Sequence, residues 1–208
     1  MPAAAQEQDT QLWTTATATT DLSDDVSLTG QFVARFSDRA NGPSELQYQA
    51  DIAVKLTSRL TVGGGYSYVP RYDQGDLTTR EHRIRQQASL KLGTLLGGEV
   101  ESRLRLEQRW RSDSDDVALR LRPRLQWTRQ IGPDELSVRL RHESFIHLND
   151  TDWTGDARYA RARNSALLTR RLGSSITGEV GYINQYSLAD TGPDEMVHAL
   201  TLGISFDF

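Results

Sequence analysis

Arginine is the residue whose type and spacing could do most chemistry in this sequence. Of 24 basic residues only Lys55 and Lys91 are lysine, and arginines recur at every second position through several segments. The rows are Arg83 and Arg85; Arg103, Arg105 and Arg109; Arg120, Arg122 and Arg124; Arg139 and Arg141; Arg161 and Arg163. A guanidinium stays charged and presents a planar fork of donors that grips carboxylates and other anions two bonds at a time. Carboxylates stand on the same faces, at Glu99, Glu101, Glu107, Glu143 and Glu179. Two arrangements follow from these types. Either the guanidiniums line a passage that prefers anionic solutes, as arginine rings do, or the glutamates pair with them into a closed polar core. A further pair, His142 and Ser144, lies two residues apart on the opposite parity from Arg139, Arg141 and Glu143.

Those positions need elements in which side chains alternate between two faces, and the sequence has that period throughout. Val26, Leu28, Phe32, Ala34 and Phe36 share one face against Ser27, Thr29, Gln31 and Arg35. Leu46, Tyr48, Ala50, Ile52 and Val54 oppose Gln47, Gln49, Asp51 and Lys55, and Leu60, Val62, Tyr66 and Tyr68 oppose Thr61, Gly63, Gly65 and Ser67. The arginine rows then alternate with leucines such as Leu104, Leu106, Leu119, Leu121 and Leu140. The segments run roughly 11 to 15 residues, against about 5 to 6 for globular strands and close to a tilted bilayer span. The expected fold is all-β: a transmembrane, antiparallel, up-and-down β-barrel of about 10–12 strands, with the apolar parity on lipid and the arginine parity in the lumen. Ten strands between Val26 and Phe208 are clear. The stretch Thr10 to Thr20 either pairs as a further strand, giving about 12 with one more, or threads the lumen.

Composition sets the remaining bounds. The 208 residues are 37% hydrophobic with mean hydropathy -0.56, and no window is apolar for the 18 or more residues of a spanning helix. A spanning barrel does not need one, since every second residue suffices. A net charge of -4 argues against a broad nucleic-acid surface. There are no cysteines. Ala3 and Ala5 match the small-residue pattern before a signal cleavage site, so residues 1–9 are expected to be a flexible remnant left by signal removal and 10–208 a single barrel. Acidic residues crowd the connections, at Asp21, Asp24, Asp25, Asp113, Asp115, Asp116, Asp150, Asp152 and Asp156, which leaves the lumen net positive. The Asn149 to Asp156 loop lacks the glutamate of a calcium loop, since Arg161 stands at the twelfth position. His82, His147 and His198 lack metal spacing, so neither a metal nor a cofactor is expected. Trp13, Trp110, Trp127, Tyr68, Tyr186, Phe206 and Phe208 are expected in aromatic girdles at the strand ends.

The final strand, Ala199 to Phe208, ends on an aromatic residue with Leu202, Ile204 and Phe206 at alternate positions before it. It resembles the carboxyl-terminal signal by which outer-membrane barrels are recognised for assembly. With Leu12-Trp13, Gly65-Tyr66 and the run Arg103 to Arg109, most of the chain also resembles a family of small Gram-negative outer-membrane barrels known only as a domain of unknown function. That resemblance implies a fold and a location in the cell outer membrane. The implied partners are outer-membrane lipid, lipopolysaccharide and the barrel-assembly machinery, with no nucleic acid, and a monomer is compatible. It implies no activity. His142 and Ser144 resemble the His-x-Ser pair of outer-membrane phospholipases and lipid A deacylases, in which the histidine is base and the serine nucleophile against acyl esters. Phe145 stands where those families usually carry Asn, and the orienting group is Asn164 or Asp156. A lipid-modifying esterase is thus the alternative to a non-enzymatic barrel of structural or narrow transport role.

Overall fold

The computed structural model describes residues 7–133 and 135–208. They form eleven strands: β1 (Glu7–Ser23), β2 (Val26–Ser37), β3 (Gly42–Lys55), β4 (Leu60–Asp73), β5 (Asp76–Leu95), β6 (Gly98–Arg111), β7 (Val117–Gln130), β8 (Ser137–His147), β9 (Tyr159–Arg171), β10 (Ile176–Ser187) and β11 (Glu195–Asp207). Consecutive strands pair antiparallel all the way round, and β1 closes on β11. An odd number of strands in a closed meander forces the closing pair to run in the same direction, so Glu7 faces Glu195 and Thr19 faces Asp207. The stretch around Thr10 to Thr20 is therefore a wall strand, and does not thread the lumen. It begins at Glu7, three residues earlier than expected, with Asp9 buried. The expected flexible remnant lies, for residues 1–6, outside the described residues.

Alternation along each strand sets which face meets what. In β6, Arg103 and Arg105 are buried at 8% and 9% exposure, while Leu104 between them is 51% exposed. The same inversion holds for Ile84 against Arg83 and Arg85, and for Leu200 and Leu202 against Thr201. The polar parity thus faces inward and the apolar parity forms the outer wall, opposite to a water-soluble barrel. Exposed large apolar residues outnumber the buried ones, an unfavourable surface in water at about 25 cal/mol per Å² and a favourable one in hydrocarbon.

The two rims differ. At one, connections are tight: 24–25, 56–59, 96–97, 131–136 and 172–175. Leu96 and Gly97 both have positive φ (51° and 73°), the geometry of a type I′ hairpin whose twist matches its strands. At the other rim 38–41 and 112–116 are comparably short, 148–158 and 188–194 run to 11 and 7 residues, and Gln74 and Gly75 make one tight turn. In the wall between β3 and β4, Gly65 passes so close to the Ala50 carbonyl and the Asp51 side chain that a Cβ would collide with both.

Trp127, Phe206 and Phe208 face outward near the tight-turn rim, and the Trp127 Nε1–H donates to the Leu95 carbonyl at 2.8 Å. Trp13 does not join a girdle. It points inward at 5% exposure and packs with Ile183, Val197 and Ala199 in a small apolar cluster. Thr residues on both faces of β1 had left its parity weakly marked.

Candidate functional site

The lumen is the site that the strands build. Its inward side chains come from every strand, but they are not equally packed along the axis. Towards the long-loop rim the interior is filled: Glu81 is fully buried, and Asp9, Ser67, Val69, Glu107, Arg109, Ala118 and Val197 are buried around it. Towards the tight-turn rim, Thr17, Thr29, Glu101, Thr128, Arg139, Glu179 and Ser205 remain partly exposed and Glu99 is exposed. The lumen is therefore a funnel, wide at the tight turns and stoppered at the loops.

Two chains of ion pairs make the stopper. In the first, the Glu107 carboxylate accepts from Arg120 Nε at 2.7 Å and from Arg122 Nη1 at 2.6 Å. Arg122 reaches on with Nη2 to Glu143 at 2.8 Å, and Glu143 also accepts from Arg103. In the second, Glu81 accepts from Arg83 Nε at 2.8 Å and Arg109 Nε at 2.5 Å. Arg71 bridges Glu81 to Glu45 (3.5 and 3.2 Å), which Arg35 also meets at 2.7 Å. Burying charge is tolerable only when each group is paired and hydrogen-bonded, and here each carboxylate has two or more guanidinium partners. Aromatic faces back several of these same guanidiniums and Arg163 beside them. Trp13 lies between Arg35 and Arg163, whose guanidinium carbons are 3.9 and 4.7 Å from its ring centroid. Phe145 has Arg122 and Arg163 at 4.6 and 4.9 Å, and Trp153 from the 148–158 loop has Arg109 at 4.5 Å. Such contacts are worth about 0.5–2 kcal/mol each, the upper end applying when desolvated.

Against the stopper, and lined in part by its members Arg35, Glu45, Arg71, Arg120, Arg122 and Glu143, lies a cavity of about 390 Å³. Twelve arginines and four carboxylates (Glu45, Asp51, Glu143 and Glu179) line it, so its walls are strongly positive. Arg105, Arg141 and Arg161 bond only to neutral groups among the described hydrogen bonds: Gln87 at 2.6 Å, Gln126 at 3.0 Å and Ser187 at 2.9 Å. The Nε atoms of Arg103, Arg122, Arg124 and Arg139 are buried without a protein acceptor. Arg105, Arg141 and Arg161, held by neutral partners alone, leave the cavity able to hold anionic oxygens.

Of the residues expected to line the lumen, Arg83, Arg103, Arg105, Arg120, Arg122, Arg124, Arg139, Arg141, Glu143, Arg161, Arg163 and Glu179 are at this cavity. Arg85, Glu107 and Arg109 are inward but lie within the packed wall, with Arg85 on Asp51 at 2.8 Å. Glu101 pairs with Arg124 at 2.8 Å near the tight-turn rim, where Glu99 is exposed. Sequence reasoning missed the roles of Trp13, Glu45, Arg71, Glu81, Phe145 and Trp153. Glu81 was findable, since it precedes Arg83 on the same parity. Phe145 likewise continues the row Arg139, Arg141, Glu143 and so had to face inward. Leu202 and Ile204 are exposed on the outer face of β11, and Phe208, just past its end, is exposed and stacks on Phe206 at 6.4 Å. His142 and Ser144 are on the outer face of β8, away from the lumen.

With this geometry in view, the relatives can be compared. A family model described as "Protein of unknown function (DUF2490)" matches residues 10–196. An uncharacterized protein of Methylorubrum extorquens is 31% identical over 199 residues, covering 95% of this chain and 87% of the relative. Among solved structures, a NanC porin in a rhombohedral crystal form matches with a TM-score of 0.59 and 13% identity, over 96% of this chain and 99% of that one. At that identity the likeness concerns the fold: this chain is an all-β closed barrel, similar in fold to that structure.

Proposed function

The chain belongs to the DUF2490 family, and from that premise we propose that it is an outer-membrane barrel giving narrow, anion-preferring passage to small solutes. The observation that carries this reading is the cavity of about 390 Å³ lined by twelve arginines and four carboxylates. Fixed positive charge on low-dielectric walls concentrates anions and repels cations. Barrels of about eight strands are filled by their own side chains and those of 16 to 18 leave wide channels. Eleven strands with a packed ion-pair layer make a constricted path.

The apolar outer wall supports placement in the outer membrane, and the carboxyl-terminal strand with Leu202, Ile204, Phe206 and Phe208 suits recognition by the barrel-assembly machinery. In that orientation the tight turns are periplasmic and the long loops meet lipopolysaccharide. A solute coming from outside would have to part the Trp153 loop and the Glu81 and Glu107 networks before it reached the wide part of the funnel.

The test is electrical. Folded, purified protein in a planar bilayer under a salt gradient is expected to give small unitary steps whose reversal potential reports anion preference. Replacing Arg105 and Arg141 by glutamate should move that potential towards cations. Absence of steps from heat-modifiable, folded protein, or cation preference in the unaltered chain, would overturn the proposal.

A further inference from the structure

The outer wall carries three polar side chains in an arrangement that has nothing to do with the lumen, and we propose that Ser144, His142 and Asn164 form a hydrolytic site for acyl esters of membrane lipid. His142 and Ser144 stand two residues apart on β8 and so project from the same outer face, while Asn164 lies directly opposite His142 in the β8–β9 register. Asn164 Oδ1 is 2.7 Å from His142 Nδ1, and His142 Nε2 is 3.1 Å from Ser144 Oγ. An amide oxygen can only accept, so Nδ1 carries the hydrogen and the Nε2 lone pair faces the serine hydroxyl. That is the relation a general base needs to a nucleophile, with a third group fixing the ring. Tyr159 Oη is 3.3 Å from Ser144 Oγ and supplies a neutral donor beside the carbon that would be attacked.

The surroundings fit a lipid substrate. Polar groups facing hydrocarbon are costly, and they mark function more often than chance. The other outward-facing histidines are satisfied more simply: His82 bonds through Nδ1 to Tyr66, and His198 through Nδ1 to Tyr182. Among the described residues His142 alone of these has both nitrogens bonded, one to an acceptor and one to a hydroxyl. Beside it a groove of about 460 Å³ runs over Leu125, Trp127, Leu140, Ala166 and Tyr182, towards the tight-turn rim and the hydrocarbon. Ser144 is three residues from the end of β8, and Tyr159 is the first residue of β9. The hydroxyl thus sits near the loop rim, and the groove, which reaches His142 and Asn164, lies beside it to take an acyl chain.

The step balances with water as co-reactant. Ser144 Oγ bonds to the ester carbonyl carbon as its proton passes to His142 Nε2, and the carbonyl electron pair moves onto the oxygen, where Tyr159 can donate. Collapse re-forms the carbonyl and breaks the ester C–O bond, and the leaving alkoxide takes the proton from Nε2. Water then adds to the acyl-serine by the same proton path, releasing the fatty acid and restoring Ser144. His142 and Ser144 are the catalytic residues, and Asn164 is a positioning residue.

The experiment uses the folded full chain in mixed micelles. One arm presents a diacyl glycerophospholipid and the other lipopolysaccharide, with fatty-acid release measured in each, and a fluorophosphonate probe is followed to its residue by peptide mass spectrometry. The expected result is labelling of Ser144 and release in at least one arm, the arm identifying the lipid. Ser144→Ala should abolish both labelling and release, and His142→Ala should slow release at least a hundredfold, the scale of a lost general base. Asn164→Ala should lower kcat with little change in KM, and Asn164→Asp, which keeps the acceptor, should restore most of it. Heat-modifiable migration establishes that each variant folds. No labelling and no release by folded protein in either arm, or release that survives Ser144→Ala, overturns the site. Conductance should be unchanged in Ser144→Ala, because the side chain is outside the lumen, so the two proposals fail separately.

Discussion

Glu107→Gln isolates the energetics of the stopper. Glu107 is 1% exposed and accepts from Nε and Nη2 of Arg120 and from Nη1 of Arg122. Arg122 has a second carboxylate in Glu143, but Arg120 has no other among the described ion pairs. Glutamine keeps the volume and one acceptor, removes the charge, and turns an NH₂ donor towards a guanidinium that can only donate. Breaking a buried pair from one side costs about 3–5 kcal/mol, or roughly two to three and a half decades in the folding equilibrium. The measurement is urea unfolding in lipid vesicles, followed by tryptophan fluorescence and by heat-modifiable migration. Glu99→Gln, exposed at the tight-turn rim, serves as control and should cost under about 1 kcal/mol. The double variant Glu107→Leu with Arg120→Met removes the Arg120 pair whole and leaves Arg122 only its Glu143 bond, so it should regain part of the loss. If Glu107→Gln and Glu99→Gln unfold at the same urea concentration, the network is solvated by water and the stopper described above is wrong.

Trp13→Ala empties the space between Arg35 and Arg163 and should cost about 3–5 kcal/mol in the same unfolding assay. Leu104→Arg places a charge on the outer wall and should cost about 2–4 kcal/mol in vesicles; no loss there would contradict contact of that face with lipid. Gly65→Ala drives a Cβ into the β3 backbone and should destabilise by about 1–3 kcal/mol with lower refolding yield. In the 188–194 connection, the bond from Tyr186 Oη and that from the Ala189 amide hold the Asp194 carboxyl below its ordinary range. A depressed folded pKa adds stability above the unfolded value, near 3.9, that is lost as pH falls through the folded one. Tyr186→Phe should move the Asp194 carboxyl titration upward in a ¹³C NMR series.

Much of this was readable from period alone. Rows such as Arg120, Arg122 and Arg124 against Leu119, Leu121 and Leu125 assign both faces of a strand, because one slip in register would exchange them. What stayed hidden depends on contacts distant in sequence. Which carboxylate meets which guanidinium follows from the stagger of neighbouring strands, so Glu143 bridging Arg103 and Arg122 is not visible from β8 itself. The fate of β1 was open because Thr14, Thr15, Thr17, Thr19 and Thr20 suit either face, and its partner β11 lies at the other end of the chain. Trp13 read as a rim aromatic because position and residue type both suited a girdle, whereas two neighbouring guanidiniums draw it inside. The closed mouth was equally illegible, since Trp153 lies in a loop with no period. Asn164 was one of two guesses for the partner of His142, and only the β8–β9 register separates it from Asp156.

The same-direction pairing of β1 with β11 has a consequence for compartments. A thread that crosses a sheet an odd number of times leaves its ends on opposite sides, so Glu7 and Phe208 answer to different surroundings. In a barrel with an even count both would share one side. Here a label placed beside Glu7 and one placed beside Phe208 would sit at opposite rims of the same barrel. The seam that closes the barrel thus joins segments almost two hundred residues apart in the sequence, Glu7 lying against Glu195.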